Sequence, residues 1–252
     1  QAGAKGSGTM AQGGELPGMR GLALLIVLGV LFVLNFEKNF VYKDRQTFLE
    51  HMVKDGPNFY AGHSDLGAVY AEQGKLADAM REFREALKLN PSHHMLYTNL
   101  GALYMQMGNY EEARKSFETA LKLNPQNWNA HHNLGIIYES QGRDGDAEAE
   151  FRAAIALDPE MTDSRYNLGV VLVKREKYDD AAKAFRETLR LDPDHANARY
   201  NLAAMYLRDG KVDEAVAEFR AAVQLSPDNQ MFKKGLERAI GVQSARSRHR
   251  GT

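Results

Sequence analysis

The sequence predicts an all-α chain: a solenoid of stacked antiparallel helix pairs, preceded by one transmembrane helix. Three observations lead there. Pro91, Pro125, Pro159, Pro193 and Pro227 recur every 34 residues without a slip. Self-similarity at such a period marks an array whose units bury their apolar faces only against their neighbours. Between the prolines, about seven further positions carry the same residue types in register. Finally, residues 21–36, GLALLIVLGVLFVLNF, form a stretch of sixteen without a charge.

Taken in chain order, residues 1–18 are rich in Gly and Ala and read as a flexible linker, a processed leader or an appended remnant. Residues 19–38 read as the transmembrane helix. A soluble helix would show a polar face, whereas this run is apolar all round. With Met19 included, and Arg20 and Lys38 snorkelling, it reaches the lower edge of the roughly 17–25 residues of a span. Phe36, Phe40 and Tyr42 then form an interfacial belt. No small-x-small site comes after it, which argues for an uncleaved anchor over a cleaved signal. Orientation signals conflict. Lys38, Lys43, Arg45 and Lys54 after the run would keep the repeats cytoplasmic, while a start at Met19-Arg20 would export the repeats. We expect a single-pass protein of a bacterial inner membrane with the repeats on the extracytoplasmic side.

Residues 39–59 read as a juxtamembrane half-repeat. Phe48, Leu49, Met52 and Val53 share a helical face, and Pro57 falls 34 residues before Pro91. Five repeats come next, at 60–93, 94–127, 128–161, 162–195 and 196–229. The first carries Leu66-Gly67, Tyr70, Gly74, Ala79, Phe83 and Ala86, and the second Leu100-Gly101, Tyr104, Gly108, Ala113, Phe117 and Ala120. Leu134-Gly135, Tyr138, Gly142, Ala147, Phe151 and Ala154 continue the series. Leu168-Gly169, Leu172, Ala181 and Phe185 belong to the fourth repeat, and Leu202, Tyr206, Gly210, Ala215, Phe219 and Ala222 to the fifth. Leu and Tyr four apart mark the buried stripe of a first helix, and the Gly beside Leu removes a side chain where a second helix comes close. The later Gly ends that helix, Ala, Phe and Ala mark the packed face of the second, and Pro stands just past its end. Glu176 replaces a turn Gly, Ala203 a close-approach Gly, Thr188 a small Ala and Leu172 a Tyr.

This pattern resembles the tetratricopeptide repeat (TPR), over about 170 of 252 residues. The resemblance implies a right-handed superhelix of helix pairs with a ligand groove lined by the first helices. After the repeats, Met231, Phe232, Leu236 and Ile240 predict a capping helix over 230–240, because the last unit of an array lacks a neighbour. Residues 241–252 read as a basic tail.

Composition narrows the function. A formal net charge of −1 gives no global pull towards nucleic acid, and the lack of cysteine removes disulfides, thiol catalysis and Cys-based metal sites. His93-His94 and His131-His132 have no third ligand at helical spacing, so helix packing or surface is their expected role. Glu111-Glu112 and Asp179-Asp180 suit the positive end of a helix dipole. No phosphate loop, serine nucleophile motif or zinc motif is present. We therefore expect no enzyme, no catalytic, cofactor or metal site, and no small-molecule substrate.

A protein-binding groove is left. Asn99, Asn133, Asn167 and Asn201 precede the Leu-Gly or Leu-Ala pairs, with Asp65 at the same place in the first repeat. The run is similar to the TPR arm of the O-linked N-acetylglucosamine transferase, and that resemblance implies an asparagine ladder holding a peptide backbone. An amide both donates and accepts, which suits this task. Alternatively, Asn is simply common at this place in TPRs. Met95, Met105, Ile136, Tyr166, Val170, Val173, Tyr200 and Leu207 are expected to add an apolar strip. Ser64 and Ala68 stand where chaperone-binding TPRs carry the Lys and Asn of a carboxylate grip, which disfavours chaperone tails.

Two function classes remain. One is a membrane-anchored TPR scaffold, or an assembly or accessory subunit, whose partner is a protein, a subunit of a membrane complex, and which meets lipid through the anchor. The other is a fragment or subunit of an integral-membrane glycosyltransferase, because Asn39 to Leu49 resembles the junction between the last span and the TPR tail of such enzymes.

Overall fold

A computed structural model describes residues 45–250, in which twelve helices succeed one another without a strand. The predicted N-terminal segment at 1–18, the predicted transmembrane helix at 19–38 and residues 39–44 of the half-repeat lie outside the described residues. So does most of the stretch with glycosyltransferase resemblance.

The helices are α1 (Arg45–Asp55), α2 (Tyr60–Glu72), α3 (Leu76–Leu89), α4 (His94–Gln106), α5 (Tyr110–Leu123) and α6 (Trp128–Ser140). They continue as α7 (Asp144–Leu157), α8 (Thr162–Lys174), α9 (Tyr178–Leu191), α10 (Ala196–Arg208), α11 (Val212–Leu225) and α12 (Gln230–Arg250). Each repeat contributes a first helix and a second packed against it, α2 with α3 through α10 with α11, and each pair stacks on the next. Second helices such as α3, α5 and α9 separate a polar from an apolar face. The first helices show little such separation, because they are flanked by neighbours on both sides.

Aromatic knobs hold each pair together. The rings of Phe83, Phe117, Phe151 and Phe185 are buried against Gly67, Gly101, Gly135 and Gly169. A Cβ at those glycines would stand 2.8, 2.7, 2.6 and 2.5 Å from the ring, closer than packed atoms approach. In the fifth repeat Ala203 fills the glycine position within the core cluster of Phe219, and the Phe219 ring lies against Gly235 of α12. Thr188, which replaces a small Ala, is fully buried and satisfies its hydroxyl by donating to the Ala184 carbonyl at 2.9 Å.

Between the helices of a repeat, Gly74, Gly108, Gly142 and Gly210 take φ from 70° to 76°, and Glu176 takes the same left-handed turn at φ 59°. A side chain there costs roughly 1–2 kcal/mol, which the surrounding packing absorbs. Between repeats the turn is held by a device that residue identity hides. Six positions after Pro57, Pro91, Pro125, Pro159 and Pro193 a long side chain reaches back to the proline carbonyl: His63 (3.1 Å), Tyr97 (2.9 Å), His131 (3.2 Å), Arg165 (3.2 Å) and Arg199 (3.0 Å). Three of these also bind a glutamate on the second helix of their repeat, His63 to Glu82, His131 to Glu150 and Arg199 to Glu218.

The half-repeat helix α1 packs Leu49 against Leu66 and Val69 of α2. Tyr70 donates to Glu50 at 2.9 Å, and burial, aided by that carboxylate, pushes its phenol up to about 12. Phe48, expected on the packed face, stays 46 % exposed.

At the other end two expectations need correction. The capping helix does not stop at 240 but runs on to Arg250, so 241–250 is helix and not a basic tail. Gln243 donates to Asp213 at 2.6 Å and Arg246 to the Gly210 carbonyl at 2.7 Å, which ties the extension to the last repeat and outweighs the roughly 1 kcal/mol cost of Gly241. Of the four apolar residues that predicted the cap, Phe232 is buried and Leu236 half-buried, while Met231 and Ile240 face solvent. Among the described residues no helix is long and apolar enough to cross a membrane.

Candidate functional site

First helices of successive repeats stand side by side, α2, α4, α6, α8 and α10, with α12 as a sixth member of the row. Bonds between first helices of adjacent repeats stitch the row: Gln106 to the Ala71 carbonyl (3.2 Å), His132 with Ser164 (2.8 Å) and Lys174 with Glu139 (2.8 Å). The row forms one continuous face, and the predicted site residues lie on it.

The asparagines behave unequally. Asn99 and Asn201 reach across to Ser64 (3.4 Å) and Tyr166 (3.5 Å) of the preceding repeat, contacts too long to compete with a good ligand. Asn133 donates to Asn129 of its own helix, 2.8 Å to the carbonyl and 2.6 Å to the side chain, which leaves its oxygen able to accept. Asn167 makes no side-chain hydrogen bond among the described residues, and all four are half-buried. Each therefore retains capacity for a peptide bond.

The apolar strip is more committed to the fold than a free binding surface. Met105, Ile136, Tyr166, Val170 and Val173 are half-buried and pack on the main core, and Tyr200 and Leu207 on the C-terminal core. Tyr166 lies between Phe185 and His195, with ring centroids 6.0 and 4.6 Å away, and burial pushes its phenol up. Met95 is 39 % exposed. Much of the strip's apolar character thus seals the seam between neighbouring first helices.

One part of the face opens into a cleft of about 690 Å³, between α10 and α12. Tyr200, Ala204, Leu207, Phe219 and Met231 make its apolar surface, and Arg208, Lys234 and Arg238 bring three cations to it. Tyr200 and Leu207 were legible in the sequence. Lys234, Gly235 and Arg238 were not assigned to the groove, yet they fall one 34-residue period after Tyr200, Asn201 and Ala204, the signal that could have found them.

His93 and His94 pack against one another with ring centroids 5.7 Å apart, and the two ring nitrogens of His94 face Asn124 and Asn127, both at 3.3 Å. Burial holds His94 and His132 below the ordinary histidine value, whereas the bond to Glu150 raises His131. Among the described residues no group of three His, Cys, Asp or Glu side chains could hold a metal ion.

A family model, the cilia and flagella-associated protein 70 C-terminal domain, matches residues 33–248. The chain belongs to this TPR family. Solved structures share the TPR architecture. PilF of Pseudomonas aeruginosa is 22% identical with a TM-score of 0.68, over 75% of this chain and 86% of that one. YrrB, a TPR protein with an unusual peptide-binding site, is 22% identical with a TM-score of 0.61, over 78% and 97%. The APC/C hetero-tetramer Cut9-Hcn1 gives 22% identity and a TM-score of 0.67 over 77% of this chain, which spans only 39% of that one. No curated protein matches the sequence. The TPR array is thus of a kind consistent with protein–protein interaction.

Proposed function

We propose that this TPR array is a membrane-anchored scaffold or accessory subunit that holds an extended segment of a partner protein along the face of its first helices. The observation that carries this reading is the juxtaposition on one face of four half-buried asparagines with spare hydrogen-bonding capacity and an apolar cleft at the row's end. Backbone contacts from the amides would supply affinity, and the cleft a place for side chains. YrrB, described by its peptide-binding site, offers a precedent in the same architecture. The charge-free run at 21–36 supports attachment to a membrane, in our reading a bacterial inner membrane with the array on the extracytoplasmic side and a subunit of a membrane complex as its partner.

A photo-cross-linking amino acid placed at Asn167 or Met231, in the groove, should yield the same partner adduct in native membranes, while one at exposed Lys183 of α9 should not. Asn167→Ala should weaken capture about fivefold, the worth of roughly 1 kcal/mol for one hydrogen bond. Adducts from Lys183 alone would move the working surface to the second helices.

A further inference from the structure

We infer that the cleft between α10 and α12 takes an acidic peptide segment carrying a large apolar side chain; this rests on the groove reading above and names the chemistry of its last rung. The row of first helices changes character at α12. Where preceding rungs carry Tyr166 and Tyr200, α12 carries Lys234, and where they carry Val170 and Ala204 it carries Arg238. Gly235 takes the place of the ladder asparagine, and a Cβ there would stand 2.7 Å from the Phe219 ring and 2.9 Å from Tyr200. Bare backbone thus lets α12 close on two aromatic rings, while Met231, 50 % exposed, offers its side chain to the cleft with little over it.

The cations are placed for an incoming anion. Arg114, Lys174 and Arg199 elsewhere in the array each pair with a glutamate. Lys234 and Arg238 meet no carboxylate within ion-pair distance among the described residues, although both border the cleft. Like charges four apart on a helix repel by about 0.2–0.5 kcal/mol, a cost that an anion between them turns into attraction. Arg208 completes the set from α10, its guanidinium 3.8 Å above the Tyr178 ring and 2.9 Å from Asp209, so it is held in position at the cleft wall. Carboxylates meeting Lys234 and Arg238 while a Leu, Met or Phe side chain enters between Tyr200, Leu207 and Met231 would satisfy the charge and the apolar surface together. A nucleic acid or an anionic lipid headgroup fits less well, because neither fills an apolar cleft of this size with a side chain and the chain's net charge of −1 gives no long-range pull on polyanions.

The test uses the full chain in nonionic detergent, panned against a displayed library of random dodecapeptides. Enriched peptides should place Asp or Glu within a few residues of a large apolar residue, and a synthetic peptide of the enriched sequence should bind at least tenfold more weakly to the Lys234→Gln, Arg238→Gln double variant. The Lys234→Glu, Arg238→Glu double variant should instead select peptides bearing Lys or Arg, a gain that misfolding cannot produce. Enriched peptides without acidic bias, bound equally by wild type and both variants, would overturn the cleft assignment and leave groove binding standing. If no peptide enriches, both readings fail. Retention of phosphatidylglycerol vesicles or duplex DNA through Lys234 and Arg238, without acidic peptides, would also overturn the assignment.

Discussion

His131 binds two acceptors at once, Glu150 through Nδ1 at 2.6 Å and the Pro125 carbonyl through Nε2 at 3.2 Å. Both nitrogens can donate only when the ring is protonated, and the Glu150 bond raises its affinity for the proton against the burial that would lower it. A histidine raised in the folded state contributes stability that is fully present below its unfolded value of about 6.5 and is lost as pH climbs through the folded value. His132 next to it runs the other way, since burial lowers it and acid therefore destabilises. Comparing wild type with His131→Gln isolates the first effect. Urea denaturation should show a larger loss for the variant at pH 5.5 than at pH 8.5, and an equal or reversed loss would mean the clamp does not depend on charge. The clamp was not legible in the sequence, because its position is His, Tyr, His, Arg and Arg along the array; reach and a donor repeat there, while identity does not.

At the scale of helix pairs, Phe151 is fully buried against Gly135, so Phe151→Ala opens a void that neighbouring backbone cannot fill. The expected cost is about 3–5 kcal/mol. Because units of such an array touch only adjacent ones, the defect should split a single denaturation transition into two, which chemical denaturation followed by circular dichroism would show. A shifted but single transition would mean that stacking spreads the loss over the whole array. Glu148 ties this repeat to the next. It is buried on α7 yet ion-paired with Arg152 and with Arg175 and Lys177 beyond α8, and against the burial that would raise it these cations hold its carboxyl below the usual range. The glycine–phenylalanine spacing was plain in the sequence, whereas this ion-pair cluster joins residues whose partnership only folding reveals.

For the whole molecule, the decisive question is how the array meets a membrane. The charge-free run at 21–36 predicts that the full chain stays in the pellet after alkaline carbonate washing, and that a version beginning at Asp44 is soluble and helical. Release of the full chain would remove the anchor from the proposed function and leave the groove reading intact. On the array itself, the apolar strip was expected to be open to a ligand, but most of it turns out half-buried against the core. Val170→Asp would therefore disturb packing as well as binding, which is why the less buried Met231 and the amide of Asn167 are the better probes.

The repeat architecture, the helix pairs and their turns came from the sequence alone, because a 34-residue period fixes which residues must face inward, and burial of Leu, Ala and Phe against glycine leaves few alternatives. The proline-carbonyl clamp, the extent of α12 and the cleft beside it were decided by tertiary structure. The clamp itself spans only six residues, but its residue identity varies and its pairing of His131 with Glu150 joins side chains 19 residues apart. The cleft joins α10 to α12, and the end of α12 is held by the repeat before it, as Arg246 is on Gly210. Periodicity determines which features recur, whereas the ends of an array, where period and neighbour both stop, take their form from contacts in space.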